Sequence, residues 1–268
     1  MNLAKTIKFS NKIRLHALKM TSRAGTSHIG SMLSIADIIA VLFNDILKTK
    51  PSKKNSKKNR KDYFILSKGH AGGIVYAALA EKGFFSLKKL LTYCKNGSTL
   101  SGHISHHQVP GVDFSSGSLG HGLSVSCGLA FSDKKIKVFN LMSDGELDEG
   151  SNWESILFAS HHKLSNLINI VDYNKIQSIK STKDTLNLEP LKKKFISFGW
   201  KVLEVDGHNH KKIFSAFKDK SLNKPICIIC HTIKGKGVNF MEKNNLWHYR
   251  TAKGDEFEKA KNQIEKKI

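Results

Sequence analysis

The sequence predicts an α/β fold: a doubly wound, mostly parallel sheet with helices on both faces. Short apolar runs alternate along most of the chain with longer segments of helical periodicity. The apolar runs are nearly continuous, which is typical of strands buried on both faces of a parallel sheet. With 268 residues, the chain is long enough to bury a full core, so we expect one large domain over residues 1–268.

The N-terminal part is predicted to be helical. An amphipathic helix covers about 11–22, and Ser34 is predicted to cap the apolar helix that follows it. Residues 48–61 have no apolar periodicity and are predicted to be an exposed Lys-rich loop. From residue 63 onward the predicted elements are strands 63–66, 136–142, 167–172, 201–205 and 226–231, with helices from 71, 119, 152 and 210.

Composition and charge exclude some classes of protein. The net charge of +22 comes largely from Lys spread over many loops, not from an Arg-rich motif, which argues against specific nucleic-acid binding. No apolar run has membrane-spanning length and no signal peptide is visible, so we expect a cytoplasmic protein with no membrane association. Cys227 and Cys230 have the CxxC spacing of redox and metal sites, but they lie in a predicted buried strand. We expect both to pack in the core.

The strongest local signal lies at the ends of two predicted strands. Asp144 and Gly145 follow one strand, and Asn174 follows the next. Because the carboxyl ends of parallel strands meet at one sheet edge, the carboxylate and the amide can share a hard divalent cation such as Mg²⁺, which also binds phosphate oxygens. Gly145 would let the backbone approach a phosphate. An ordinary strand-to-helix turn explains these residues equally well, so both interpretations stay open on these two strand ends alone.

Histidines give the second signal. His28, His70 and His103 each lie in a Ser/Gly-rich loop before an apolar element. Such loops present imidazoles that exchange protons near neutral pH. Two further candidates are the Gly-rich loop 117–122 and the segment 231–248, whose GKG lacks the spacing of a P-loop.

Taken together, these segments resemble the transketolase family of thiamine-diphosphate enzymes. The runs SDGELDEGSNWES and LINIVDYNKIQ are similar to the family's metal and diphosphate motif. TSHIGS, LSKGHAGG, the loop 101–122 and TIKGKGVNFMEKNNLWH are similar to its other blocks, so the resemblance covers most of the chain. Ser143, Ile29 and His121 stand where the family usually has Gly, Pro and Gln.

The resemblance implies the thiamine-diphosphate-binding fold, in its diphosphate-binding (PP-type) form. It implies that Asp144, Asn174 and the backbone carbonyl of Ile176 bind Mg²⁺ or Ca²⁺. Catalytic roles are implied for His28, His70, His103 and His248. The implied contacts to thiamine diphosphate come from His70, Gly117, Leu119, Gly145, Glu146, Asn174, Lys234 and His248.

A partner is implied as well. The family needs a pyrimidine-binding domain that supplies a Glu, and no second α/β unit is visible before Ile268. We therefore expect the partner to be a C-terminal transketolase subunit, in an α2β2 assembly, with phosphorylated sugars as substrates. The implied reaction is transfer of a two-carbon ketol unit from a ketose phosphate to an aldose phosphate, in the pentose phosphate pathway.

Four other interpretations stay open. A 1-deoxyxylulose-5-phosphate synthase and the α chain of a 2-oxoacid dehydrogenase share the metal motif. A nonenzymatic polyanion-binding protein fits the charge of +22. A transketolase half that has lost activity and is retained for assembly fits the departures at Ser143 and Ile29.

Overall fold

The computed structural model describes residues 1–48, 51 and 62–268. Apart from Lys48 and Pro51, the predicted Lys-rich loop at 48–61 lies outside these residues. Within the described part, five strands form one sheet in the order β1-β2-β3-β5-β4, and every neighbouring pair is parallel. The predicted parallel sheet is therefore confirmed. The strands are β1 (Asp62–Leu66), β2 (Lys137–Ser143), β3 (Leu167–Tyr173), β4 (Lys201–Asp206) and β5 (Ile226–His231).

Helices connect the strands. Short π-helical or 3₁₀ turns lie at Leu42–Ile46, Gly69–Ala71, Leu87–Thr92, Gly145–Asp148 and Asn245–His248. The α-helices are α1 (Leu3–Ala24), α2 (Ile29–Ser34), α3 (Ala36–Val41), α4 (Gly72–Glu81), α5 (Gly122–Ser132), α6 (Gly150–His161), α7 (Thr182–Thr185), α8 (Leu191–Ser197), α9 (His210–Lys218) and α10 (Gly254–Glu265).

Helices cover both faces of the sheet, because strand side chains alternate between the faces. Phe139 and Leu141 of β2 belong to an apolar cluster with α1 to α4, α9 and α10. Val138 and Met142 of the same strand belong to a second cluster with α5, α6 and α8. The doubly wound arrangement is confirmed, and it leaves the carboxyl ends of the strands free to form a site.

The buried strand β5 decides the question of the CxxC motif. Cys227 packs in one apolar cluster and Cys230 in the other, because a spacing of three residues places them on opposite faces of a strand. Both thiols are free and buried. The prediction of core packing is confirmed.

Three predicted helix boundaries were wrong. The first helix begins at Leu3, where Asn2 caps it by accepting the N–H of Lys5 at 3.1 Å. Ser34 does not cap a helix; it ends α2, and its hydroxyl donates to Asp172. The helix predicted from residue 119 begins only at Gly122, because the loop before it turns through Gly120 at φ 89°.

No helix of the described residues is long and apolar enough to cross a membrane.

Candidate active site

Two strand ends carry the predicted metal ligands, and the structure joins them. Asp144 follows β2 and Asn174 follows β3, its direct neighbour in the sheet. The Asp144 carboxylate accepts the N–H of Lys175 at 2.6 Å and that of Gly145 at 2.8 Å. Asn174 Oδ1 accepts the N–H of Ile176 at 3.0 Å. The three predicted ligands therefore lie on two contacting turns at the carboxyl edge of the sheet.

The Asp144 carboxylate is buried in a position that favours a bound cation. Burial raises the pKa of Asp144 to about 7, and the Asp172 carboxylate adds to the rise. Both effects disfavour the charged form of Asp144. A divalent cation beside it would offset both and return the group to its ionised form.

The negative charge of Asp172 is balanced by protein groups, without a metal. Lys68 Nζ donates to it at 2.5 Å and Ser34 Oγ at 2.7 Å, and Thr232 Oγ1 donates as well. Burial by itself would raise the pKa of Asp172, but the Lys68 ammonium and the hydroxyl donors hold it below its ordinary value. Asp172 also accepts Asn174 Nδ2 at 3.1 Å, which orients that amide.

The Ile176 carbonyl accepts a hydrogen bond from a lysine ammonium. The Lys234 ammonium donates to the carbonyls of Ile176 at 3.2 Å and Gln177 at 2.8 Å, and lies 3.0 Å from His248 Nδ1. Burial lowers the pKa of Lys234 to about 8, and the Lys68 ammonium contributes.

A carboxylate, an amide oxygen and a backbone carbonyl are the donors that Mg²⁺ and Ca²⁺ prefer, so Asp144, Asn174 and Ile176 fit such an ion. In the part of the chain that the structure describes, no group of three or more His, Cys, Asp or Glu side chains could hold a metal. The candidate site is thus the mixed oxygen set, which contains a single residue of those types.

The four predicted histidines form one cluster. The ring centroid of His28 lies 5.2 Å from that of His70, 5.6 Å from that of His103 and 5.0 Å from that of His248. The centroids of His70 and His248 are 5.9 Å apart. His103 is the exposed member, and the other three are half-buried. The fold therefore brings together imidazoles from four separate segments.

The environment keeps the inner imidazoles neutral. Burial lowers the pKa of His28 to about 4 and that of His248 to about 3, and the Lys234 ammonium adds to both shifts. Burial also holds the pKa of His70 well below its ordinary value. Neutral imidazoles both donate and accept hydrogen bonds, and an anionic ligand beside them would raise these pKa values toward neutrality.

His28 has an unusual backbone conformation. Its φ of 76° is left-handed, which costs energy for a residue with a Cβ. Its N–H donates to the carbonyl of His248 at 2.8 Å, and its carbonyl accepts the N–H of Ser31 at 3.1 Å. These bonds hold the imidazole toward the cluster, and such retained strain is concentrated at functional sites.

Glu146 braces the Gly-rich loop rather than standing free. Its buried carboxylate accepts the N–H of Gly120 at 3.0 Å, the N–H of Ser143 at 3.3 Å and the hydroxyl of Ser67. Burial raises the pKa of Glu146, and these three donors oppose the rise. The carboxylate therefore ties the ends of β1 and β2 to the loop 117–122.

One of the two predicted cofactor contacts of that loop lies beside a histidine. Gly117 is exposed, and a Cβ there would lie 3.7 Å from the His103 ring. Leu119 is half-buried. Glycine at position 145 also avoids a close contact, since a Cβ there would lie 2.8 Å from Gln177 Cγ.

Three departures from the family pattern have a simple local setting. Ser143 is the last residue of β2 and has regular strand pairing, so glycine is not required there. Ile29 is the first residue of α2, the position at which proline is also favoured. His121 is exposed, and its Nδ1 lies 3.2 Å from the Ser118 carbonyl.

Sequence reasoning missed several residues of the site. Lys68, Asp172 and Gln177 lie inside segments that resemble family motifs, but no role was predicted for them. Each lies within two residues of a predicted site residue, namely His70, Asn174 or Ile176. Ser34 and Thr232 were missed because a lone hydroxyl gives no signal. The available signal was proximity in sequence to a predicted ligand at a strand end.

This arrangement defines the class of protein. Polar and charged groups gathered at the carboxyl edge of a parallel sheet are typical of an α/β enzyme domain that binds a phosphorylated cofactor there. A family model described as the transketolase, thiamine diphosphate binding domain matches residues 6–266. The chain belongs to the transketolase family of transferases, which confirms the resemblance seen in the sequence.

Relatives and solved structures agree with this assignment. One subunit of the apulose-4-phosphate transketolase of Actinobacillus succinogenes is 41% identical over 252 residues, which cover 92% of this chain and 90% of the relative. A 6-deoxy-6-sulfo-D-fructose transketolase subunit from a Clostridium species is 38% identical, covering 87% and 86%. The crystal structure of Campylobacter jejuni transketolase superposes with a TM-score of 0.91 at 30% identity. The match covers 99% of this chain but 43% of that one.

Proposed function

We propose that this chain is the diphosphate-binding subunit of a split transketolase. With a C-terminal partner subunit, it transfers a two-carbon ketol unit from a ketose phosphate to an aldose phosphate, using thiamine diphosphate and Mg²⁺ or Ca²⁺. The observation that carries the proposal is the convergence of four imidazoles that Lys234 links to the predicted metal ligands, since its ammonium lies 3.0 Å from His248 Nδ1 and donates to the Ile176 carbonyl at 3.2 Å. A surface that binds polyanions through charge alone needs neither feature.

The strand ends would hold the metal and the diphosphate. Asp144, Asn174 and the Ile176 carbonyl supply oxygens to the cation. Lys234 supplies a buried positive charge for the diphosphate. Gly145 would supply a backbone N–H, which in this structure donates to Asp144 at 2.8 Å. The remaining proposed cofactor contacts are those of the loop that Glu146 braces, through Gly117 and Leu119, and those of His70 and His248.

The histidines would handle protons and substrate hydroxyls. The cofactor, when bound, supplies the electron sink for breaking and making the carbon–carbon bond. Breaking that bond in a sugar requires a hydroxyl proton to move, and imidazole can accept and return it. His103 is exposed and lies beside His28, which also contacts His70 and His248, so His103 is placed to meet the sugar at the outer side of the cluster.

The partner would complete the site. Two relatives of similar length are named as transketolase subunits, and this chain spans 43% of the C. jejuni enzyme. We propose an α2β2 assembly in which the partner contributes the pyrimidine-binding domain. The names of the two related subunits mention different sugars. We propose that the substrate of this chain is a ketose, as those sugars are. The net charge of +22 would attract phosphorylated sugars to the assembly. We propose that the enzyme works in the cytoplasm, in the pentose phosphate pathway.

The test is reconstitution. The purified chain is mixed with the candidate partner encoded by the same genome, thiamine diphosphate and Mg²⁺, and ketol transfer from xylulose 5-phosphate to ribose 5-phosphate is measured. We expect ketol transfer only in the mixture and not with either chain by itself. Asp144→Ala should lower the activity of the mixture by at least about 100-fold. Cofactor binding without transfer between any ketose and aldose phosphate would contradict the transketolase assignment.

A further inference from the structure

His208, which lies outside the histidine cluster, contacts the segment that carries Lys234. It lies in the turn between β4 and α9, and its imidazole bridges two parts of the chain. Nδ1 lies 2.8 Å from Asp37 Oδ2, and Nε2 lies 2.8 Å from the backbone nitrogen of Ile233. Ile233 immediately precedes Lys234 in the segment that leaves β5.

The contacts fix the tautomer of His208. A backbone N–H can only donate, so His208 Nε2 must carry the lone pair that accepts the N–H of Ile233. The proton of the neutral ring is then on Nδ1, from which it is donated to Asp37. The carboxylate thus orients the imidazole in the way that outer carboxylates orient metal-binding histidines.

Asp37 is itself held rigidly. Arg14 donates to its two oxygens at 3.0 and 2.5 Å, and His210 Nε2 lies 2.9 Å from Oδ1. Asp37 and Arg14 are both buried, and the Arg14 guanidinium keeps the pKa of Asp37 well below its usual range despite the opposing effect of burial. The acceptor that His208 bonds is therefore a fixed charge on α3.

The same turn packs tightly against the end of β5 and the residue that follows it. The N–H of Gly207 donates to the His231 carbonyl at 2.8 Å, and a Cβ at Gly207 would lie 2.4 Å from Thr232 Cγ2. Lys234 is 1% exposed, and from this segment its ammonium donates to the carbonyls of Ile176 and Gln177.

We propose that His208 is a positioning residue: as the Nδ1–H tautomer set by Asp37, it holds the Ile233 N–H and so places the Lys234 ammonium at the cofactor site. Its effect on the cofactor rests on the function of Lys234 proposed above. The effect on the backbone does not.

A matched pair of variants tests this. His208→Asn keeps a donor near Asp37 but loses the acceptor for Ile233, whereas His210→Asn loses a bond to the same Asp37 and leaves Ile233 untouched. We expect His208→Asn to speed amide exchange across 231–237 by about tenfold and to weaken thiamine diphosphate binding by about tenfold, and His210→Asn to do neither. Equal effects of the two variants, or unchanged exchange in His208→Asn, would overturn the proposal.

Two further measurements keep the outcome clear. In the wild type, the ¹⁵N signals of His208 must show an unprotonated Nε2 and a protonated Nδ1; the reverse tautomer contradicts the proposal even if a variant fails to fold. His208→Gln, which restores an acceptor close to the position of Nε2, should recover slow exchange. Lys234→Ala tests the cofactor role of Lys234 separately from the positioning role of His208. Unchanged cofactor affinity in Lys234→Ala would refute the function proposed for Lys234, while the amide exchange data would still test His208.

Discussion

The imidazoles of His28 and His248 meet edge to face, with ring centroids 5.0 Å apart and planes at 88°. The N–H of His28 also donates to the carbonyl of His248 at 2.8 Å. The loop before α2 and a segment near the C-terminus are thus closed on each other by backbone and side chain. Burial at this junction is the main reason that both pKa values are low.

This junction predicts a sensitivity to acid. The folded-state pKa of each ring lies below the ordinary 6.5, so the unfolded chain takes up protons first as the pH falls. The stability that the neutral rings contribute is present above pH 6.5 and is lost as the pH falls through about 4. His248→Asn should therefore lose less unfolding free energy between about pH 7.5 and 5 than the wild type, by about 1 kcal/mol after solvent screening. Urea unfolding at the two pH values measures this, with the exposed His161→Asn as control. Identical pH dependence in all three proteins would contradict the assignment.

The buried Asp144 predicts the opposite trend in the absence of metal. Its folded-state pKa of about 7 lies above the ordinary 3.8, so its contribution is present below pH 3.8 and lost as the pH rises through 7. In chelator, the stability of the wild type relative to Asp144→Asn should fall as the pH rises from about 4 to 7. Saturating Mg²⁺ and thiamine diphosphate should reverse this trend, because a cation favours the ionised carboxylate. Parallel pH curves for the two proteins in chelator would be inconsistent with a buried carboxylate of raised pKa.

Gly235 predicts a steric effect next to Lys234. Its φ is 83°, and a Cβ there would lie 2.1 Å from the Met241 carbonyl oxygen. Gly235→Ala should lower the unfolding free energy by about 3 kcal/mol or more, because both the backbone conformation and the contact are unfavourable. Gly254→Ala is the matched control, since its φ is also positive, 50°, but no atom lies within 4 Å. It should cost about 1 kcal/mol. Equal losses in urea unfolding would show that the close approach to Met241 is not present.

His103 predicts a kinetic effect separable from cofactor binding. In the reconstituted enzyme, His103→Ala should lower kcat/KM for ketol transfer by about 100-fold, because a proton-transferring or hydroxyl-binding imidazole is lost. Thiamine diphosphate affinity should stay within about twofold, since His103 is the exposed member of the cluster. His107→Ala, in the same loop, should leave both quantities unchanged. A loss of cofactor affinity in His103→Ala, with kcat/KM per bound cofactor unchanged, would assign His103 to the cofactor instead.

The architecture could be predicted from the sequence because strand and helix patterns are local. Continuous apolar runs indicated a parallel sheet, and a parallel sheet places the ends of successive strands at one edge, which is why Asp144 and Asn174 could be paired in advance. The grouping of His28, His70, His103 and His248 came from the family resemblance, since no local pattern relates four distant loops.

Other features depend on contacts that the sequence does not encode locally. Ser34 has the local pattern of a helix cap, yet its hydroxyl bonds Asp172, because a buried carboxylate competes strongly for donors. The partnership of Lys68 with Asp172 joins residues 104 positions apart. The contact of Gly145 with the Gln177 side chain, which an added Cβ would approach to 2.8 Å, also joins two turns that no local pattern relates.

We propose that the joined strand ends hold the metal of a thiamine-diphosphate site. The most direct test is a crystal structure of the chain with thiamine diphosphate and Mn²⁺, which replaces Mg²⁺ and gives an anomalous signal. We expect one strong peak bound by Asp144, Asn174 and the Ile176 carbonyl, with the diphosphate beside Lys234 and His248. A peak elsewhere, or a diphosphate bound away from these strand ends, would contradict it.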